Sequence, residues 1–142
     1  MQDLAAAAPD VIIIALGTND ADTPLGSPGD AKTAPTLYGN ILNAVDTVAA
    51  ARPSSQILWI TPYQYSTAIN FGGPYATNEA IVTAIKTVCG QYGVSVNDIL
   101  NNSTLNQYNW GIYLGDGLHI SPAGADAFYV PRLIAKLKEM FY

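Results

Sequence analysis

The stretch Asp10-Val11-Ile12-Ile13-Ile14-Ala15-Leu16-Gly17 decides the fold of this chain. It is a continuous apolar run, rich in β-branched side chains, that ends at a glycine. Because apolar and polar residues do not alternate in it, the run predicts a β-strand that is buried on both faces. Strands of this kind belong to parallel sheets that helices cover, so the run favours an α/β architecture.

The rest of the chain alternates between helical and strand patterns. The predicted elements, in chain order, are a helix from its N-cap Thr36 to Ala51, a buried strand Gln56–Ile60, a helix from Thr77 or Asn78 to about Tyr92, a short strand Val94–Val96 and a final helix after Ser121-Pro122. A polar loop is expected over residues 97–117. The predicted apolar stripe of the final helix consists of Ala125, Phe128, Leu133, Ile134 and Leu137.

This order predicts a sheet that lacks a neighbour for its most apolar strand. Strands that alternate with helices imply right-handed crossovers and a parallel sheet, whose ligands bind at the carboxyl ends of the strands. Three sequential strands would leave residues 11–16 on an edge, where so apolar a strand promotes aggregation. We therefore expect a further strand beside it, from upstream sequence or from another chain, and interpret residues 1–8 as the last turns of a helix. The predicted class is a three-layer α/β sandwich whose first strands are missing from this chain.

Composition bounds the class of protein. With 142 residues the chain fits one domain, and 49% hydrophobic residues exclude a disordered protein. No apolar run is long enough to span a bilayer. A net charge of −5 and a pI near 4.4 argue against binding to nucleic acid. The single cysteine, Cys89, excludes an internal disulfide and is interpreted as a small core residue.

The surface composition suggests a location. Charged residues make up 12% of the chain, and 9 Tyr and 12 Gly accompany many Asn and Thr residues. A surface made polar by amides and hydroxyls is common in secreted and virion proteins, so we expect an extracellular or phage-tail setting. No signal peptide is recognisable, because Met1-Gln2-Asp3 lacks a basic segment.

Two short segments carry the candidate chemistry. Gly17-Thr18-Asn19-Asp20 follows the first strand, and Asp116-Gly117-Leu118-His119 precedes the final helix, so both are expected at the same end of the sheet. His119 is the only histidine, and Asp116 is spaced to bond its Nδ1–H and leave Nε2 free as a general base. The Asn19 amide can donate to a developing oxyanion.

Each of these residues also has a purely structural interpretation. A single histidine before a helix is often a surface or capping residue. Asp116-Gly117 is also an ordinary turn signal, and an asparagine after a strand, such as Asn19, commonly serves a turn. Ser121 is interpreted as the N-cap of the final helix.

Together the two segments resemble motifs of the SGNH (GDSL-like) hydrolases, a family of esterases, lipases and carbohydrate deacetylases. In that family a strand ending in Gly-x-Asn-Asp supplies the oxyanion asparagine, which matches Asn19. An Asp-x-x-His before the last helix, often followed by Ser/Thr-Pro-x-Gly, supplies two members of a catalytic triad and matches Asp116 and His119. The resemblance covers nearly the whole chain, as the carboxyl-terminal part of such a domain.

The chain departs from the family pattern at the nucleophile. The Gly-Asp-Ser motif of the family, which lies on a strand beside the one that ends in Gly-x-Asn-Asp, does not occur here. The glycine that completes the oxyanion hole also belongs to that upstream part. Ser27 is the only local substitute, and it lacks the strand-to-helix turn that holds a nucleophile rigidly; Ser66 and Ser54-Ser55 are still less suitable.

The resemblance implies an esterase that acts through an acyl-serine and needs no metal or cofactor. Its expected substrate is an ester-bearing small molecule or polysaccharide, from which it removes O-acetyl or similar groups. Aromatic side chains either line the substrate groove or bury one another; the groove candidates are Tyr63, Tyr65 and Trp110, with Phe71, Tyr75, Tyr108 and Tyr113 nearby. The alternative is a catalytically inactive sugar-binding or virion-structural module on the same fold. A nucleotide-binding domain is disfavoured, because no Gly-rich phosphate loop is present.

Overall fold

The computed structural model describes residues 8–66 and 77–142. Within them, the strands β1 (Val11–Ala15), β2 (Gln56–Ile60) and β3 (Ser95–Asn97) form a parallel sheet in the order β1-β2-β3. β1 and β2 pair from Val11 with Gln56 to Ala15 with Ile60, and β3 pairs with the carboxyl half of β2. The predicted parallel α/β architecture is confirmed.

Helices follow each strand. Their bounds are α1 (Leu37–Ala51), α2 (Asn78–Gln91), α3 (Ile99–Asn102), α4 (Trp110–Tyr113), α5 (Pro122–Gly124), a π-helical turn (Ala125–Tyr129) and α6 (Val130–Phe141). Hydroxyl side chains begin the helices as predicted. Thr36 Oγ1 accepts the Gly39 N–H at 3.2 Å, Thr77 Oγ1 accepts the Ala80 N–H at 3.3 Å, and Ser121 Oγ accepts the Gly124 N–H at 3.1 Å.

The two faces of the sheet carry separate apolar clusters. On one face α1 and α2 pack together over β1 and β2, around Ile14, Val45, Trp59, Ile85 and Cys89. On the other face the final helical segment and the loops before it pack around Ile60, Ile99, Leu105, Leu114 and Phe128. Cys89 is fully buried, in agreement with its interpretation as a core residue.

Three details of the predicted elements differ from the structure. The third strand is Ser95–Asn97, one residue later than predicted, because its pairing with β2 begins at Ser95. The polar segment predicted as a loop contains the short helices α3 and α4. Ile134, placed on the apolar stripe of the final helix, is exposed, whereas Phe128 is buried.

The prediction that the first strand is buried on both faces is wrong for the described residues. Ile14 is buried under α1 and α2, but Ile13 is 45% exposed and the adjacent Leu16 59% exposed. The physical reason is that β1 lies at the edge of the described sheet, while α6 contacts β3 at the other edge. The segment interpreted as the end of a helix, residues 1–8, lies almost entirely outside the described part. Among the described helices, none is long and apolar enough to cross a membrane.

Candidate active site

A closed loop between α4 and α5 carries Asp116 and His119. Leu114 and Ile120 form an antiparallel bridge at its base, and the Gly115 N–H donates to the His119 carbonyl at 2.8 Å. Gly117 has φ +86°, a left-handed conformation that a glycine adopts without steric cost. The Asp-Gly pair therefore turns the chain so that residue 119 returns towards residue 116.

The structure brings Asp116 and His119 together as predicted. His119 Nδ1 lies 2.7 Å from Asp116 Oδ2, and Asp116 Oδ1 accepts the N–H groups of Leu118 at 2.9 Å and His119 at 2.7 Å. The imidazole, followed by these two amides, holds the pKa of the Asp116 carboxyl well below its usual range. An ionised carboxylate at Nδ1 favours the tautomer whose Nε2 is unprotonated, and the His119 side chain is 77% exposed.

The Gly17–Asp20 segment leaves the carboxyl end of β1 in a tight turn. Gly17 has φ +123°, and the Asp20 N–H donates to its carbonyl at 3.2 Å. Trp59 Nε1 donates to the Leu16 carbonyl at 3.3 Å and ties this end of β1 to β2. Asn19 is exposed on the turn, and within the described residues no hydrogen bond joins it to Asp116 or His119.

A cavity of about 230 Å³ adjoins both motif segments at the carboxyl ends of β1 and β2. Thr18, the neighbour of Asn19, lines it on one side, and Ile120, the neighbour of His119, lines it on another. The remaining lining residues are Ala15, Leu16, Ile60, Thr61, Pro62, Tyr63 and Tyr129. Thr18 and Ile120 therefore share one cavity, whereas the convergence of Asn19 with Asp116 and His119 stays a prediction.

The groove candidates Tyr63, Tyr65 and Trp110 are half-buried and pack against the second apolar cluster. Of these, Tyr63 also lines the cavity beside Ile120. Phe71 and Tyr75 lie outside the described residues. Tyr108 is almost fully exposed and Tyr113 stacks edge-on against Phe128.

The sequence patterns missed Thr61, and they placed Tyr63 in the substrate groove without indicating its contact with the Asp116 loop. Thr61 Oγ1 accepts the buried N–H groups of Ile99 and Leu100 and joins the end of β2 to α3. Tyr63 Oη donates to the Leu118 carbonyl at 2.9 Å. A threonine and a tyrosine after a strand are common, so their residue types give little indication of these contacts. Only the position of Thr61 and Tyr63 shortly after the apolar run Gln56–Ile60 indicates that they lie near the site.

Burial shifts the pKa of other groups around the cavity. It raises the pKa of the Tyr63 and Tyr129 phenols, so both remain protonated hydrogen-bond donors near neutral pH. Burial, aided by repulsion from Asp22, also raises the pKa of Asp20. No three His, Cys, Asp or Glu side chains of the described segments come together as a set that could hold a metal ion.

Ser27 is held in a local turn away from any imidazole contact. Its Oγ donates to Asp30 Oδ1 at 2.9 Å and its N–H donates to Asp30 Oδ2 at 3.1 Å. Ser55 Oγ donates to the Pro9 carbonyl, next to the amino end of β1, opposite to the candidate site. Neither geometry is that of an activated nucleophile, for which the hydroxyl must hydrogen-bond a base.

Comparisons with known proteins agree with the fold and the motifs. The model of the GDSL-like Lipase/Acylhydrolase family matches residues 1–127. One solved structure is 30% identical, with a TM-score of 0.78 over 92% of this chain and 64% of that chain. A protein from Lactobacillus plantarum is 24% identical, with a TM-score of 0.83 over 94% of this chain and 68% of its own. The lipase/acylhydrolase from Enterococcus faecalis is 16% identical, with a TM-score of 0.65 over 96% of this chain and 64% of its own.

No curated protein matches the chain. The family match covers most of its length, and the chain belongs to the GDSL-like lipase/acylhydrolase family. Its fold is the α/β sandwich of these hydrolases of SGNH type, as the solved structures show. The chain spans 64%, 68% and 64% of the length of these three solved structures, respectively.

Proposed function

We propose that this chain forms the carboxyl-terminal part of an SGNH-type serine esterase. The observation that carries the proposal is the contact of 2.7 Å between His119 Nδ1 and Asp116 Oδ2, on a loop beside the cavity that the Gly-x-Asn-Asp segment also adjoins. An aspartate on Nδ1 with an accessible Nε2 is the geometry that a general base requires.

In the proposed reaction His119 moves a proton twice. Its Nε2 takes the proton from a serine hydroxyl as the serine oxygen attacks the ester carbonyl, and the Asn19 amide donates to the oxyanion that develops. His119 then gives this proton to the leaving alcohol oxygen as the ester bond breaks. In the second half, His119 takes a proton from water as the water oxygen attacks the acyl carbonyl, and it returns this proton to the serine oxygen as the acyl–oxygen bond breaks and the acid leaves. Asp116 holds the imidazole in its tautomer throughout and stabilises the imidazolium.

The serine is proposed to come from upstream sequence or from a second chain. The Gly-Asp-Ser motif is absent from the sequence, and the His119 and Asp116 side chains are 77% and 59% exposed, which leaves them accessible to a nucleophile from another segment. The edge of β1, which has no partner among the described strands, supports the same idea, because Ile13 and Leu16 expose apolar surface that another strand would cover.

The proposed substrate is a carbohydrate that carries O-acetyl or similar ester groups. Tyr63 lines the cavity beside Ile120, and aromatic rings of this kind stack on the faces of sugar rings. A cavity of about 230 Å³ is large enough for a small acyl group such as acetyl. An acidic surface rich in amides and hydroxyls supports an extracellular or virion-associated enzyme.

Fluorophosphonate labelling tests this proposal, because the probe traps an activated serine. The chain is expressed together with the polypeptide encoded directly upstream of it, and labelling is read by intact-mass spectrometry alongside hydrolysis of acetylated xylan. We expect an adduct on a serine outside residues 1–142 and acetate release, both abolished by His119→Ala. An adduct on Ser27 of the 15.0 kDa chain would overturn the proposed source of the nucleophile.

The absence of Gly-Asp-Ser favours a second candidate, an inactive carbohydrate-binding or virion-structural module on the same fold. For this candidate neither an adduct nor acetate release is expected, and His119→Ala leaves binding to an immobilised polysaccharide unchanged. His119→Ala therefore distinguishes the two functions, because it should abolish hydrolysis by an esterase but leave polysaccharide binding by an inactive module unchanged. His119 is exposed, so the substitution should not disturb the core.

A further inference from the structure

The loop that carries Asp116 and His119 is fixed at its base, where Leu114 is buried and Ile120 packs against the second apolar cluster. Its own bonds, from the Gly115 N–H to the His119 carbonyl and from two amides to Asp116 Oδ1, set its shape. They do not set its distance from β1 and β2. Both functional side chains are exposed, so side-chain packing does not fix them either.

The segment that follows β2 attaches the rest of the loop through two hydrogen bonds. The Ser66 N–H donates to the Gly117 carbonyl at 2.8 Å, and Tyr63 Oη donates to the Leu118 carbonyl at 2.9 Å. Both acceptors lie between Asp116 and His119 in sequence. The Leu118 carbonyl belongs to the peptide group whose N–H, on His119, donates to Asp116 Oδ1, so Tyr63 restrains one of the peptide units that orient the pair.

Tyr63 is itself held by two contacts, one to its ring and one to its carbonyl. Its ring meets the Phe128 ring edge-on, with centroids 6.3 Å apart and an angle of 64° between the planes. Its carbonyl accepts from Asn78 Nδ2, at the start of α2, at 3.2 Å. Its ring lines the cavity beside Ile120. A tyrosine anchored in this way fixes the position of the loop relative to the sheet. A side chain on a freely moving loop could not do so.

We propose that Tyr63 is a positioning residue that holds His119 and Asp116 in register with the carboxyl ends of β1 and β2. The proposal rests on the proposed role of His119 as the base. Because the hydroxyl is engaged by the Leu118 carbonyl, Tyr63 acts on the reaction through the loop, while its ring forms part of the cavity wall.

The test compares Tyr63→Phe with the matched control Tyr113→Phe. Both variants lose one hydroxyl from a ring that contacts Phe128 edge-on, but only Tyr63 donates to the Leu118 carbonyl. In the chain as it stands, the ¹⁵N signals of the His119 ring report its tautomer, and hydrogen exchange reports the opening of the Leu118 and His119 amides, which donate to Asp116 Oδ1. For Tyr63→Phe we expect exchange of these amides to accelerate about fivefold, the effect of one lost hydrogen bond, and the share of the Nδ1–H tautomer to fall.

The control should leave both readouts at the wild-type values. Equal changes in the two variants, or none in Tyr63→Phe, would overturn the positioning role. Circular dichroism and thermal unfolding check that both variants fold, and Tyr63→Leu, which also removes the ring, should show the larger change in exchange.

These readouts need no serine, so they separate the two proposals. If Tyr63→Phe loosens the loop but the completed polypeptide hydrolyses no ester, the positioning role stands and the esterase function fails. If the completed polypeptide is active, Tyr63→Phe should lower kcat about fivefold with little change in KM, because the base rather than the binding surface is displaced. A change confined to KM would assign the hydroxyl to substrate binding instead.

Discussion

At the scale of single residues, the most constrained position of the Gly-x-Asn-Asp segment is Gly17. Its φ of +123° is one that side-chain-bearing residues rarely adopt, and a Cβ there would lie 3.0 Å from Pro62 Cγ and 3.2 Å from Ile81 Cγ2. The glycine thus allows β1 to turn sharply against α2 and the segment after β2. It sets the direction in which Asn19 leaves the sheet.

Replacing Gly17 by alanine should therefore destabilise the fold. We expect Gly17→Ala to lower the free energy of unfolding by about 1–3 kcal/mol, from the backbone conformation and the contact with Pro62. Gly90→Ala is the control: Gly90 lies in α2 with open space around it, and alanine in a helix stabilises by about 1 kcal/mol relative to glycine. Urea unfolding measures both; a neutral Gly17→Ala would contradict the structural role of Gly17.

The Asp116 carboxylate provides a prediction about pH. Its pKa is held below the ordinary value of 3.8 by the His119 side chain and then by the amides of His119 and Leu118. A carboxyl whose pKa is lower in the folded state stabilises its loop above pH 3.8, and this contribution is lost only as the pH falls through the lowered value. We expect the ¹³C signal of the carboxyl to titrate below the range of exposed aspartates, and to move towards that range in His119→Ala, where only the two backbone amides still lower the pKa. Titration at 3.8 or above in the wild-type chain would contradict the pairing.

At the scale of elements, the segment Ser121-Pro122-Ala123-Gly124 begins the final helix. Ser121, Pro122 and Gly124 each suit their position for a different physical reason. Ser121 caps the helix, and Pro122 fits the first helical position, where no N–H partner is needed. Gly124 is required by packing, because a Cβ there would lie 2.3 Å from the Tyr113 carbonyl oxygen at the end of α4. The motif thus brings α5 against the short helix that precedes the Asp116 loop.

Gly124→Ala should separate α5 from α4 and destabilise the fold by about 1–3 kcal/mol, because a backbone carbonyl cannot move aside as a side chain does. Gly111→Ala, on α4 itself, introduces the same methyl group where nothing lies within 4 Å. Thermal unfolding of the two variants should show a clear loss for the first and little change for the second. Equal melting temperatures would show that the contact with Tyr113 relaxes at no cost.

The sequence predicts a helix well where a capping residue directly precedes apolar residues at helical spacing. Thr36, Thr77 and Ser121 are hydroxyl caps directly before apolar periodicity, and all three cap helices in the structure. α3 and α4 have four residues each and no apolar periodicity, so no pattern distinguishes them from a loop. Asp116 and His119 are brought together by a turn of three residues, which sequence spacing reveals. The hydrogen bond from Tyr63 to Leu118 spans 55 residues, and no local pattern encodes it.

At the scale of the whole molecule, the two faces of the described sheet are unequally covered at β1. One face lies under α1 and α2 and buries Ile14, whereas Ile13 on the opposite face is 45% exposed. On α6, which covers part of that opposite face, Val130 and Ile134 are exposed as well. An apolar edge strand is a template for a further strand, whether from the same protein or from a second copy of this chain.

The chain alone should therefore associate through the edge of β1. We expect sedimentation velocity to show reversible oligomers at micromolar concentration, because an unpaired apolar edge lowers its free energy by pairing. Ile13→Lys should shift the population to monomer, since a charge on the edge strand opposes pairing. Ile112→Lys is the matched control, because Ile112 is 63% exposed on α4 and lies away from β1.

When the polypeptide encoded upstream is present, association should disappear and acetate release should become sensitive to Ile13→Lys. Association that persists unchanged in Ile13→Lys would show that another surface, not this edge, joins the copies.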